Sequence, residues 1–192
     1  MSEYLSNWTL IRTSGFLAFY FMTLSLSLGM LGSFSIMKRK KAKLVSLHQT
    51  SGWYGLLTIF FHILLVWQDD YVPYSLPELL IPFYAKNEPV NSGIGTLSFF
   101  LFLLVILSSD FFIKKLGIKK WKKLHLAVIP AWIFMILHGI LLGSDSSEPW
   151  AISIYAVGLA LVLVLGVLRF MESKSPASSS TKRKVTKIKR QP

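Results

Sequence analysis

The sequence predicts an all-α fold, a polytopic membrane helix bundle of about five transmembrane helices with a sixth possible. Three observations predict it. Of 192 residues, 53% are hydrophobic and only 16% are charged, with a mean hydropathy of +0.52, which leaves too little polar surface to cover a soluble core. Long stretches contain no Asp, Glu, Lys or Arg, and each approaches the roughly 20 residues that a helix needs to cross a bilayer core of about 30 Å. The basic residues gather in alternate connections, as they do when one side of the membrane is cytoplasmic. Soluble globular and disordered classes are thereby excluded. The absence of cysteine also excludes disulfides, iron–sulfur clusters, thiolate metal sites and covalently attached c-type haem.

The charge-free stretches give the elements in order: Thr13 to Met37, Leu44 to Gln68, Val90 to Ser109, Leu124 to Ser144 and Trp150 to Leu168. The first is too long for a cleaved signal peptide, lacks a basic residue in Met1 to Leu10, and is followed by a basic cluster instead of a cleavage site. Lys38 to Lys43 lie between spans one and two, Lys114 to Lys123 between three and four, and Arg169 to Arg190 after span five. These three groups hold all but two of the 21 Lys and Arg residues. The other connections carry Asp69, Asp70, Glu78, Glu88, Asp145 and Glu148 against the single Lys86. The N-terminus is therefore expected outside and the C-terminus in the cytoplasm. The net charge of +12 reads as orientation and contact with anionic lipid, with no nucleic-acid partner. Residues 1–170 form the membrane domain, and 171–192 a basic, Ser-rich cytoplasmic tail without a fold of its own. Neither GxGxxG nor GxxxxGK[ST] occurs, so no flavin or nucleotide site is expected in the chain. In the outer loop 69–89, the segment Leu76 to Ala85 is too short to span and is interrupted by prolines. It reads as an interfacial piece able to cover a site on that side.

All four histidines fall in spans, where ionisable groups are costly and point to function. His48 and His62 lie in span two, and His125 and His138 in span four. Both spans enter from the same side, so the four form two levels, about 20 Å apart at 1.5 Å per residue. His48 can face His125, and His62 can face His138. The 14-residue step from His48 to His62 returns to within about 40° of one helix face, whereas the 13-residue step from His125 to His138 misses by about 140°. Alignment of the second pair requires a distortion, and Pro130 lies in that interval. Two imidazoles facing each other, twice over, suit six-coordinate haem, with Gly52, Gly55, Gly139 and Gly143 supplying room. A single zinc ion is disfavoured because its ligands must converge on one point. Interhelical hydrogen bonding by the histidines is the competing structural explanation.

The pattern resembles the transmembrane domain shared by ferric reductases, NADPH oxidases and the haem-binding membrane subunit of the bacterial methionine sulfoxide reductase system. The resemblance spans most of residues 8 to 170. Its strongest element is the histidine frame, 14 then 13 residues apart. Arg12-Thr13-Ser14-Gly15, Leu47-His48-Gln49-Thr50-Ser51-Gly52, Trp121-Lys122-Lys123-Leu124-His125 and the segment from His138 to Ser146 support it. It implies transmembrane electron transfer through two b-type haems, the inner held by His48 and His125 and the outer by His62 and His138. The second nitrogen of each imidazole would be tied to a backbone carbonyl or a hydroxyl.

Full-length ferric reductases and NADPH oxidases continue into flavin and nicotinamide domains, which this sequence lacks. A separate cytoplasmic flavoprotein or quinol is therefore the expected electron donor. The Lys114 to Lys123 loop either docks that donor or serves as a topology signal that binds lipid. The acceptor lies on the outer face, and the compartment is a cell membrane of the bacterial inner or plasma type. Arg12 either pairs with a propionate of the outer haem or snorkels to outer headgroups. The alternative function is a haem-free polytopic scaffold or permease with structural histidines.

Overall fold

The computed structural model describes residues 6–174. Its order is α1 (Asn7–Leu31), a 3-10 turn (Ser35–Lys40), α2 (Lys41–Trp67), a short α3 (Leu76–Leu80), α4 (Pro89–Asp110), α5 (Ile113–His125), α6 (Val128–Leu142) and α7 (Pro149–Lys174). No strand occurs among the described residues. Four helices, α1, α2, α4 and α7, are long and apolar enough to cross a membrane, and a fifth crossing results if α5 and α6 are taken as one bent span. The chain is a multi-pass helical membrane protein, with side chains such as Leu57, Phe60, Val157 and Val164 left exposed on its outside, as lipid solvent permits.

Helix α1 starts six residues before the charge-free stretch, at a Ser6 N-cap that accepts the Thr9 N–H at 3.3 Å. This places Arg12 within the helix. It also ends early, at Leu31, and Phe34 leads into the 3-10 turn. Helix α7 runs through Lys174, four residues into the stretch read as tail; the remainder of that tail lies outside the described residues.

Span four departs most from expectation. It is two helices bent by 41°, and the break falls at Leu126 and Ala127, ahead of Pro130. Pro130 is the third residue of α6, in the first turn, where a backbone N–H has no partner within the helix. The proline thus opens α6 instead of distorting a continuous helix. His125 closes α5 and His138 belongs to α6, so the 13-residue step never has to be made along a single helix. Helix α5 is amphipathic and lysine-rich, and it is interrupted at Gly117, whose φ of 73° suits a residue without Cβ.

Helix α2 packs along α1, α6 along α4, and α7 along α1. The buried core comprises Phe19, Met22 and Leu26 of α1, Leu56 of α2, Phe99 and Phe102 of α4, and Ala131, Trp132 and Ile136 of α6. On α2 this places Leu56 between the two histidines, so the core lies at mid-height and separates the two levels. Trp132, 3% exposed, donates its indole N–H to Thr23 Oγ1 at 2.9 Å, which satisfies its polar edge inside that core.

Candidate functional site

The structure brings the histidines together as two pairs. At the end bearing the lysine-rich connections, the ring centroids of His48 and His125 are 5.9 Å apart, with planes at 75°. At the opposite, acidic end, His62 and His138 line one cavity of about 560 Å³. Among the described residues no group of three or more His, Cys, Asp or Glu side chains could hold a metal ion. Each histidine level therefore offers two imidazoles and no third protein ligand of these types.

Neighbouring helices fix the ring orientations. His48 Nδ1 lies 2.8 Å from the Ser25 carbonyl oxygen, His62 Nδ1 lies 3.0 Å from that of Ile11, and His138 Nδ1 lies 2.9 Å from that of Asn91. A carbonyl only accepts, so Nδ1 carries the proton in all three and donates it. Nε2 is left as a bare lone pair, the form that ligates a metal. Ser25 Oγ and Ser14 Oγ stand at 3.0 and 3.1 Å from Nδ1 of His48 and His62 and share those bonds. No hydrogen bond to any of the four Nε2 atoms occurs among the described residues.

A glycine stands four residues after each accepting carbonyl, and at Gly29 and Gly95 it gives the ring its clearance. Gly15 follows Ile11, Gly29 follows Ser25, and Gly95 follows Asn91. A Cβ would stand 3.6 Å from His62 at Gly15, 3.1 Å from His48 Nδ1 at Gly29, and 2.5 Å from His138 Nδ1 at Gly95. These glycines lie on α1 and α4, not on the histidine helices. The glycines read from the histidine helices have other neighbours: Gly52 faces Ser25, Gly55 faces Met22, Gly139 faces Tyr155 and Gly143 faces its own helix, and Gly139 and Gly143 line the cavity of His62 and His138. A signal for the ring-side glycines exists in the sequence. Gly15 and Gly29 are 14 residues apart, and so are Gly95 and Ser109, matching the His48 to His62 step.

Beside the His62 and His138 pair, Arg12 forms an ion pair with Asp145, linking α1 to the α6–α7 connection. Both residues line the cavity. The loop 69–89 covers the same cavity with Tyr74, Glu78, Leu79, Asn87 and Glu88, and it is held down where Thr96 Oγ1 donates to the Leu79 carbonyl at 3.0 Å. Glu78 organises this cover. It accepts from the Ser75 hydroxyl at 2.6 Å, the Ser75 N–H at 2.9 Å and the Lys86 N–H at 3.0 Å. Those bonds, the Ser75 hydroxyl foremost, hold its carboxyl down at about 2 from an ordinary 4.5. At the other end, Asp110 accepts the Trp53 indole N–H at 2.6 Å.

Residues 14–136 match the family model described as ferric reductase like transmembrane component. The chain belongs to this family. The matched range contains His48, His62 and His125 and ends just before His138. Membership in the ferric reductase like family suggests electron transfer across the membrane. No curated protein and no solved structure matches the chain.

Proposed function

We propose that this chain carries electrons across a bilayer through two b-type haems, one of which His48 and His125 would hold and the other His62 and His138. The observation that carries the reading is the common state of the imidazoles: Nδ1 engaged and Nε2 unpartnered at all four. Histidines serving only to join helices have no reason to leave the same nitrogen bare four times over. The His48 and His125 ring centroids stand 5.9 Å apart, a spacing at which both imidazoles could donate to one metal held between them. Bound there, haem supplies one-electron redox chemistry within a medium that excludes ions.

The protein's own contribution is orientation and dielectric. Carbonyls of α1 and α4 accept from Nδ1 of His48, His62 and His138 and make these imidazoles stronger donors through Nε2. The apolar layer of Phe19, Phe102 and Trp132 keeps water out between the levels. The loop 69–89 roofs the His62 and His138 cavity, while Arg12 places a cation at its rim.

The lysine-rich connections support a cytoplasmic setting for the His48 and His125 end through the positive-inside tendency, and the membrane proposed is a bacterial inner or plasma membrane. Electrons would enter there from a separate flavoprotein or a quinol and leave to an acceptor on the outer face. The domain extends over residues 1–170. A reduced-minus-oxidised spectrum with a pyridine haemochrome count tests the reading. Two b haems per chain are expected, with one lost in His62→Ala and one in His125→Ala. Haem-free protein after expression with ample haem would refute it and leave a scaffold or permease with structural histidines.

A further inference from the structure

Three of the four histidines share one arrangement, a carbonyl at position i and a glycine at i+4 on the neighbouring helix. The fourth departs from it in a specific way. At the place equivalent to Gly95, one 14-residue step along α4, stands Ser109. Its hydroxyl bonds the carbonyl at its own i−4 position, that of Val105, at 2.7 Å. The Ser109 hydroxyl thus bridges the Val105 carbonyl and the imidazole, with Oγ standing 3.2 Å from His125 Nδ1.

Counting protons fixes the direction of each bond. Ser109 has one hydroxyl hydrogen, and the shorter 2.7 Å contact with Val105 uses it, since a carbonyl has none to give. Trp121 Nε1, a donor only, points at Ser109 Oγ from 3.0 Å. One lone pair of the oxygen accepts from Trp121. The other faces His125, whose Nδ1 must then donate and whose Nε2 is bare, as at the other three sites. The Trp121 ring, with its centroid 5.2 Å from that of His125, packs beside the imidazole.

We propose that Ser109 is a positioning residue for His125, relaying the Val105 carbonyl to the imidazole as a hydroxyl oxygen, and that this makes the His48 and His125 haem electronically distinct from its partner. The inference rests on the haem reading above. A neutral hydroxyl oxygen that already accepts from an indole is a poorer acceptor than a carbonyl. His125 is consequently the least electron-rich of the four imidazoles, and the ferric state at its haem is the less stabilised. Because Trp121 and His125 both belong to α5, the lysine-bearing helix carries this adjustment with it.

The test is a redox titration of the purified, haem-loaded chain with haem-retention measurements on Ser109→Ala, Ser109→Thr and Ser109→Gly. Loss of the acceptor in Ser109→Ala is expected to raise the midpoint potential of one haem only and to weaken its retention about 10- to 100-fold. Ser109→Thr keeps the hydroxyl and should behave as the parent. Ser109→Gly recreates the arrangement of the other three sites by opening the Val105 carbonyl to His125, and should retain the haem with a potential at or below that of the parent. Unchanged haem in Ser109→Ala, equal movement of both haems, or loss in Ser109→Gly matching that in Ser109→Ala would overturn the proposal while the two-haem reading stands. A parent without haem would overturn both.

Discussion

The glycines against the histidine rings form a graded series that a single methyl group can probe. At Gly95 an added Cβ would lie 2.5 Å from His138 Nδ1 and 2.6 Å from Cε1. Ordinary contact begins near 3.5 Å, so the ring must retreat by about 1 Å. That retreat stretches the 2.9 Å bond to the Asn91 carbonyl beyond useful length. Overpacking of this kind costs about 1–3 kcal/mol, and the lost hydrogen bond adds about 1. Replacing glycine by alanine within a helix returns about 1 kcal/mol. The net cost is about 1–3 kcal/mol, a 5- to 150-fold weakening of whatever His138 holds. At Gly29 the equivalent contact is 3.1 Å and at Gly15 it is 3.6 Å, so Gly29→Ala should be mildly harmful and Gly15→Ala neutral or slightly stabilising. Haem stoichiometry and detergent-solubilised melting temperature read the series. Equal behaviour of the three variants, or a parent-like Gly95→Ala, would refute the idea that these glycines are clearances for the rings.

Three further outcomes are expected. Asp145→Asn leaves Arg12 without its partner at the cavity rim and should destabilise the chain by about 1–3 kcal/mol; Arg12→Met combined with Asp145→Leu should recover most of it, as read by a double-mutant cycle on melting. Glu78 has its carboxyl depressed to about 2 from 4.5, so its support of the loop is complete above pH 4.5 and is lost as pH falls toward 2. Hydrogen-exchange protection over residues 75–86, taken relative to the intrinsic rate at each pH, should fall across that window, and Glu78→Gln should show the reduced protection already at pH 7. Trp132→Phe removes buried ring volume and the bond to Thr23, and should cost about 2–4 kcal/mol in melting experiments.

Much of this arrangement was legible in residue order because membranes enforce simple rules. Charge-free stretches located α2 and α4 to within a few residues, and the four histidines stood out as ionisable groups in apolar runs. The same rule misplaced α1, because Arg12 is tolerated inside that helix by a partner, Asp145, that lies far away in sequence. Rotation arithmetic correctly exposed the 13-residue step as a misfit. It could not say where the helix would yield, because a proline is as much at home in a first turn as in a kink. The expectation that each imidazole's second nitrogen meets a carbonyl or hydroxyl agrees with the hydrogen bonds. The partners themselves could not be named, since Ile11, Asn91 and Ser109 acquire significance only when α1 and α4 lie against the histidine helices. The glycines beside the rings, Gly15, Gly29 and Gly95, were missed for the same reason.

The separation of the ring-orienting carbonyls from the histidine helices also has a consequence for biosynthesis. His48 and His62 meet their acceptors as soon as α1 and α2 have paired, early in translation. Their counterparts depend on α4, and the ring of His138 settles only after residues 91–95 and 138 have both entered the bilayer. A ribosome that has delivered α1 and α2 thus leaves behind two oriented imidazoles that wait through the synthesis of more than seventy residues from His62 to His138. Assembly of this protein is therefore ordered in time, with completion deferred until α6 arrives.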